Sequence, residues 1–448
     1  MSTDVSIRSE IGPTLKLAVP IMLGMLGYGL MFIIDVAMAG QLGETALAAS
    51  ALGANLNYIP YVMGIAIVGA IPVYQSQDNG AGVAESSAAI LRHGLVLAFG
   101  VGLVLALLTH AAAGLLPRLG SDPAVAAEAR AFFVVMAWAM IPGLAFHALR
   151  GHRDSQHQPW VSLAWLSAGL ALNVFLNWLW MYGHWGFSPM GLAGAGWATL
   201  VSRVFMFAGL WYTPGRGEVR WGDGLQRPVF VRLLRTGIPS SLHSLSEVGI
   251  FAIVPVFAGW ISQTAQAAHQ VAISTASAAF MMPLGLGIAA GIRIGEAYGA
   301  KDFRRVRAVG FGALLLGGAS MSVYGLGMVL LRPQILVLYG VAGTDTASLA
   351  GSLLLFAALW APFDGVQVVA AYVLRSVDCA AWASGAVFVV YWLVTLPLAL
   401  LLAFPLKLGA VGIWIALATG LVLAALAMTW RFLRAVRRAS VEGTVGSP

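Results

Sequence analysis

Charge and cysteine are both scarce in this chain. Asp, Glu, Lys and Arg make up 10% of its 448 residues, against about 25% in an ordinary soluble domain. Too few charges are present to clothe a water-soluble globule. The single cysteine, Cys379, excludes a disulfide framework and a thiolate metal cluster. A GxxxxGK[ST] phosphate loop, an HExxH zinc motif and a GxSxG nucleophile elbow are also absent, so ATP-driven pumping and two common hydrolase chemistries have no support. No enzyme activity is expected. Apolar residues, by contrast, supply 59% of the chain. At about 20 residues per bilayer crossing they suffice for roughly a dozen spans. The 53 Gly and 19 Pro are scattered through the apolar stretches, as membrane helices tolerate.

Apolar runs bounded by polar or Gly/Pro punctuation predict twelve helices, over 14–38, 46–74, 88–116, 124–149, 159–182, 190–213, 230–258, 265–294, 303–330, 346–375, 380–404 and 408–432. The first twelve residues are polar and no small-residue cleavage pattern follows the first apolar run, so no removable leader is expected. The longest polar interruption, GRGEVRWGDGLQRP, falls near mid-chain. The expected organisation is an N-terminal six-helix lobe over 1–214, a cytoplasmic linker over 215–228, a C-terminal six-helix lobe over 229–434 and a cytoplasmic tail over 435–448.

With the N-terminus inside, 20 of the 25 Lys and Arg fall on the cytoplasmic side and only Arg118, Arg130, Arg332 and Lys407 outside, leaving Arg203 within the sixth helix. That asymmetry follows the positive-inside rule and places both termini in the cytoplasm of a cell whose inner (plasma) membrane holds the chain. The net charge of +7 is thereby accounted for as loop sidedness, and no nucleic-acid partner is expected.

The halves repeat. A shift of 219 residues lays LAVP at 17–20 over TGIP at 236–239, MAG at 38–40 over FAG at 257–259, and NGA at 79–81 over YGA at 298–300. At nearby shifts GLAG at 191–194 meets GAVG at 409–412, and Leu149-Arg150 meets Leu374-Arg375. An even number of spans per half gives both halves the same orientation, and substrate sites of transporters lie between such repeats. The expected fold is therefore all-α and polytopic, with twelve transmembrane helices in two pseudo-symmetric lobes.

Of 18 acidic residues, Asp35, Glu247 and Asp364 alone sit inside apolar helices. Each costs about 2.5–3.5 kcal/mol on insertion scales, so a function is the expected reason for keeping them. Burial raises a carboxylate's pKa toward neutrality, which a site exchanging H⁺ or Na⁺ requires. Polar neighbours lie at helical spacing. His243 is one turn before Glu247, with Ser240 and Ser244 beside them. Trp360, Asp364 and Gln367 share a face of the tenth helix, where Pro362 is expected to break the ladder and free carbonyls for a cation. In the N-terminal half Asn173 and Asn177 are one turn apart on the fifth helix and Thr199 lies on the sixth. The plainer reading of the Asn pair is hydrogen bonding between helices, and for His147, His243 and His269 it is packing or capping.

At these residues the chain resembles the multidrug and toxic compound extrusion (MATE) transporters, in their NorM-type branch. The matching segments are LAVPIMLGMLGYGLMFIIDVAMAGQLGETALAASALG (17–53), LNVFLNWLWMYG (172–183) and SEVGIFAIV (246–254). AAHQVAISTASAAFMMPLGLGIAAGIRIGEAYGAKD (267–302) and FDGVQVVAAYVLRS (363–376) complete them. The resemblance implies two six-helix lobes around a central cleft and export of small amphipathic, often cationic drugs in exchange for H⁺ or Na⁺, with no cofactor. By position it makes Asp35 the first-helix acid and Glu247 and Asp364 the acids of a C-lobe cation site, the metal ligands if the ion is Na⁺. Many members place Tyr one turn before the tenth-helix acid, whereas this chain has Trp360, which has no hydroxyl oxygen. H⁺ is therefore the favoured ion, with Glu247 and Asp364 titrating as a pair. Trp360 and Met282 are candidates for an adaptable apolar cleft wall. A chain carrying both lobes in the bilayer is expected to act as a monomer. The alternative is a flippase or exporter of a lipid-linked sugar or other metabolite from the same broad superfamily, for which an Arg-lined cavity is the discriminating feature.

Overall fold

A computed structural model describes residues 6–119, 122–213 and 224–445. Among them no strand occurs, and twelve helices are long and apolar enough to cross a bilayer. They are α1 (Ile7–Gly40), α2 (Glu44–Gly80), α3 (Ser87–Arg118), α4 (Pro123–Ser155), α5 (Pro159–Tyr182) and α6 (Leu192–Tyr212). The second half follows with α7 (Arg227–Ile261), α8 (Gln263–Gly299), α9 (Phe303–Leu330), α10 (Asp345–Ser376), α11 (Ala380–Ala403) and α12 (Gly409–Arg437). Each expected span has its counterpart. Of the expected linker, residues 215–223 lie outside the described residues. The helical run that begins with α12 continues to Val445, so the expected tail is helical through residue 445, and 446–448 lie outside the described residues.

Three interruptions of the long helices fall just ahead of a proline, although α1 and α7 run unbroken through theirs. The ring of a helical Pro clashes with the carbonyl four residues earlier and offers no N–H. Accordingly α2 breaks at Gly69 ahead of Pro72, α4 at Ala139 ahead of Pro142, and α8 at Ala279 and Phe280 ahead of Pro283. Pro397 in α11 follows a π-helical segment, Val389–Thr395. The break expected at Pro362 does not occur, since α10 is helical from Asp345 to Ser376. Close packing holds it there: α9 approaches so tightly that a Cβ on Gly325 would meet the Ala358 carbonyl and one on Gly317 the Gly365 carbonyl.

Packing divides the chain into two compact units, Leu23–Ser241 and Met1–Met22 joined with Leu242–Pro448. The expected lobes 1–214 and 229–434 part in the linker; the division by packing falls inside α1 and α7 instead. In the first unit α4 is the hub, its first half against α2 and α6 and its second half against α3. The apolar core there gathers Ile71, Leu95, Leu144, Phe146 and Met206. The start of α7 is pinned to it by a hydrogen bond of 2.7 Å between the hydroxyls of Tyr74 and Thr236, and by Arg232 donating at 3.0 and 2.8 Å to both Asp78 oxygens.

In the second unit α10 is the corresponding hub, against α8, α9 and α12. Its core gathers Ile250, Ile294, Leu353, Trp414 and Phe432. The first turns of α1 are fastened there by the buried Arg293, which donates to the Glu10 carbonyl at 2.7 Å, to the Thr14 hydroxyl and to the Glu10 carboxylate. Removing one partner of such a buried pair costs about 3–5 kcal/mol.

Candidate functional site

The three intrahelical acids fall in two separate places. Asp35 belongs to the first unit, Glu247 and Asp364 to the second.

Around Asp35 the structure assembles Asn173, Asn177 and Thr199. The amide of Asn177 donates to the Asp35 carboxylate at 2.6 Å and to Asn173 Oδ1 at 3.3 Å, and Asn173 Nδ2 donates in turn to Thr199 Oγ1 at 3.3 Å. Both Asn side chains are fully buried and Thr199 nearly so. One-turn spacing on α5 stacks the two amides, and α6 brings the hydroxyl to the far end. The relay is thus both interhelical glue and a mount that fixes one carboxylate. Next to it lies a cavity of about 30 Å³ lined by Asp35 with Phe32, Val36, Ser50, Phe132 and Met136 among others, large enough to admit water.

The second place is built differently. His243 Nε2 lies 3.9 Å from the Glu247 carboxylate, as the one-turn spacing on α7 requires. Glu247 on α7 and Asp364 on α10 belong to the same compact unit, and the Glu247 charge reaches Asp364. The buried Gln367 amide is directed at Glu247 without reaching close hydrogen-bond geometry. Nor do His243 Nδ1 and the hydroxyls of Ser240 and Ser241 reach it with any partner. Asp364 receives no hydrogen bond from any described residue. Among the described residues no three His, Cys, Asp or Glu side chains converge as a metal site, so a cation held by the pair would need neutral oxygens beside them.

Tyr391 supplies such an oxygen, and sequence reading missed it. It is 1% exposed, lies within electrostatic reach of both Glu247 and Asp364, and its hydroxyl has no partner. The π-helical turn of α11 carries it, with Thr395 Oγ1 donating to the Val390 carbonyl five residues back at 2.9 Å. Its neighbour Trp392 donates to the Ser246 carbonyl at 3.2 Å and packs on Gly249, fastening the turn to α7 beside Glu247. π-Turns in α-helices frequently mark functional positions. In the sequence the only signal is Pro397, six residues on.

Trp360 is turned into the core of its unit. It stacks on Trp414 with ring centroids 4.5 Å apart, and Trp414 donates to His269 Nδ1 at 3.1 Å. Met282 likewise packs against that core. Packing is the observed role of His269, as its plainer reading has it.

Similarity to known proteins agrees with this architecture. A probable multidrug resistance protein NorM of Mesorhizobium japonicum is 35% identical over 446 residues, covering 95% of this chain and 94% of its own. Another of the same description, from Bradyrhizobium diazoefficiens, is 33% identical and covers 96% and 95%. The crystal structure of a eukaryotic MATE transporter superposes with a TM-score of 0.85 at 21% identity, covering 97% of this chain and 98% of that one, and so shares the fold. The MatE family profile matches residues 20–179 and 239–401, one stretch in each half. With twelve membrane-spanning helices, an internal repeat and a buried acid site in either half, the chain belongs to the MatE family of multi-pass membrane transporters.

Proposed function

We propose that the chain is a cation-coupled multidrug efflux antiporter that exports amphipathic, often cationic compounds by alternating access. The observation that carries this reading is the Glu247–Asp364 pair: two carboxyls of one bundle within electrostatic reach of each other and of Tyr391, with no basic partner in ion-pair contact other than His243. Two like charges in low dielectric need a proton or a cation between them. An ion taken up from outside neutralises the pair and releases drug; an ion lost inside restores the charge and readmits drug. A unit charge crossing 100 mV supplies about 2.3 kcal/mol, roughly a 50-fold concentration ratio, so one or two ions per drug suffice. The NorM description of the relatives supports multidrug substrates.

H⁺ is the favoured ion. His243 beside Glu247 offers a proton acceptor, while Trp360, an indole stacked in the core, contributes no oxygen. Tyr391 keeps Na⁺ open as the alternative. Asp35 serves as a second, N-lobe protonation or substrate site. The chain works as a monomer in the inner membrane with both termini in the cytoplasm, in line with its basic residues. Purified protein in proteoliposomes, oriented with its cytoplasmic side outward, tests the reading. An acid lumen without Na⁺ should drive uptake of a fluorescent cation; transport only after Na⁺ enters the lumen reverses the choice of ion, and no transport under either gradient refutes the antiporter.

A further inference from the structure

Arg203 stands in the middle of α6, where a guanidinium costs about 2.5–3.5 kcal/mol, and no carboxylate of a described residue lies in ion-pair contact with it. Its Nη1 donates at 3.1 Å to the Ala139 carbonyl, at the break in α4, and its Cζ rests 4.2 Å above the Tyr61 ring. A rank of rings runs on from there. His147 lies edge-on to Tyr61 at 6.0 Å and stacks on Tyr28 at 5.1 Å, and Arg150 closes the rank 5.7 Å over Tyr28.

Two polar atoms inside this rank, Tyr61 Oη and His147 Nε2, are buried with no partner, while the Tyr28 hydroxyl is directed at Arg150. Such groups are expensive to leave unpaired. The arrangement is built, since a Cβ on Gly143 would lie 2.7 Å from the Tyr61 hydroxyl and 3.2 Å from Arg203 Cδ. Arg150 is offset by Asp154 at 3.5 Å, which leaves Arg203 as the guanidinium of the rank with no carboxylate in ion-pair contact. That is the complement of a single oxyanion carried on an aromatic body.

The same helix then supplies the opposite sign. Tyr28 and Asp35 are seven residues apart on α1, two turns and about 10 Å along one face, and the Arg203 charge reaches Asp35.

We infer that Arg203, Tyr61, His147 and Tyr28 form a seat for the carboxylate of an amphipathic substrate, so that the first unit takes zwitterions with the carboxylate here and the cationic centre at Asp35. The assignment rests on the efflux reading and names a substrate class for it. It concerns Arg203, whose place within an apolar helix the coupling mechanism leaves unused.

The test is binding, measured by fluorescence anisotropy on the purified full chain in detergent. The probes are rhodamine B, a zwitterion with a free carboxyl, and its ethyl ester, a cation of the same body. The wild-type chain should bind the acid more tightly than the ester. Arg203→Gln should weaken the acid about tenfold or more and the ester less than about twofold, while Arg203→Lys restores part of the loss and Asp35→Asn weakens both dyes. If Arg203→Gln does not fold, Tyr61→Phe removes only a hydroxyl and should weaken the acid alone about threefold to fivefold. Equal losses for both dyes, or none, overturn the seat. So does displacement of rhodamine B but not its ester by phosphatidylglycerol, which assigns the donors to a lipid phosphate. Failure of the efflux reading shows separately: dye binding would follow this pattern while neither gradient moves dye across a liposome.

Discussion

The two acid sites answer the problem of a carboxylate in a bilayer in opposite ways. Asp35 is a single charge met by a donor at 2.6 Å, itself braced through Asn173 to Thr199. Glu247 and Asp364 are two charges within reach of each other, with a histidine 3.9 Å from Glu247 and no close donor on Asp364. A buried carboxylate with its donor supplied by the protein can stay where it is without help. Two like charges in low dielectric call for a proton or a cation between them. On the proposed reading the coupling ion therefore belongs to the second unit, and the first holds its one carboxylate ready.

The largest effect should follow from removing either charge of the pair. Glu247→Gln and Asp364→Asn are each expected to bring gradient-driven dye export down to that of liposomes without protein, at unchanged yield of folded protein. Wild-type rates in both variants would break the comparison. Asp35→Asn should act less severely, slowing export about tenfold as one charge-assisted hydrogen bond is lost. Ion binding at the Glu247–Asp364 pair, measured by calorimetry, should survive it. Loss of that binding in Asp35→Asn would mean that the two sites are one.

Much of this was legible from composition alone, for a physical reason. A bilayer demands runs of about 20 apolar residues, and an acid within such a run is conspicuous, so the spans and the three carboxylates stand out. The one-turn pairs His243–Glu247 and Asn173–Asn177 follow from helical period. What stayed hidden depends on the backbone or on distant contacts. Tyr391 reads as one more aromatic in VVYWLVT until the fold brings it within electrostatic reach of two acids. Pro362 has the same chemistry as Pro72, Pro142 and Pro283, yet the helix around it stays unbroken, with α9 packed tightly against it. Arg150 reads as a loop charge near a helix end, and only folding lines it up with Tyr28, His147, Tyr61 and Arg203.

Tyr391→Phe sharpens the comparison at intermediate size. If the pair waits for an ion, losing one neutral hydroxyl beside it should weaken ion binding about threefold to fivefold and leave folding intact, since the hydroxyl makes no hydrogen bond to lose. An unchanged ion affinity would remove Tyr391 from the site.

The smallest effect is expected from Thr199→Val, and it probes the first unit's claim to be complete without an ion. Thr199 Oγ1 is the last member of the relay, two amides away from Asp35. Valine is close to threonine in shape, so packing around the nearly buried side chain is kept while the acceptor for Asn173 Nδ2 is lost. A neutral hydrogen bond as long as 3.3 Å belongs at the weak end of the range for such bonds, about 0.5 kcal/mol, and Asn173 can lose its brace without releasing Asn177 from the carboxylate. Export should therefore fall only about twofold to threefold, with ion binding at Glu247 and Asp364 unaltered. A loss as large as that of Asp35→Asn would show that the relay works as one cooperative unit, so that Asp35 is held by the whole chain of donors rather than by Asn177 alone.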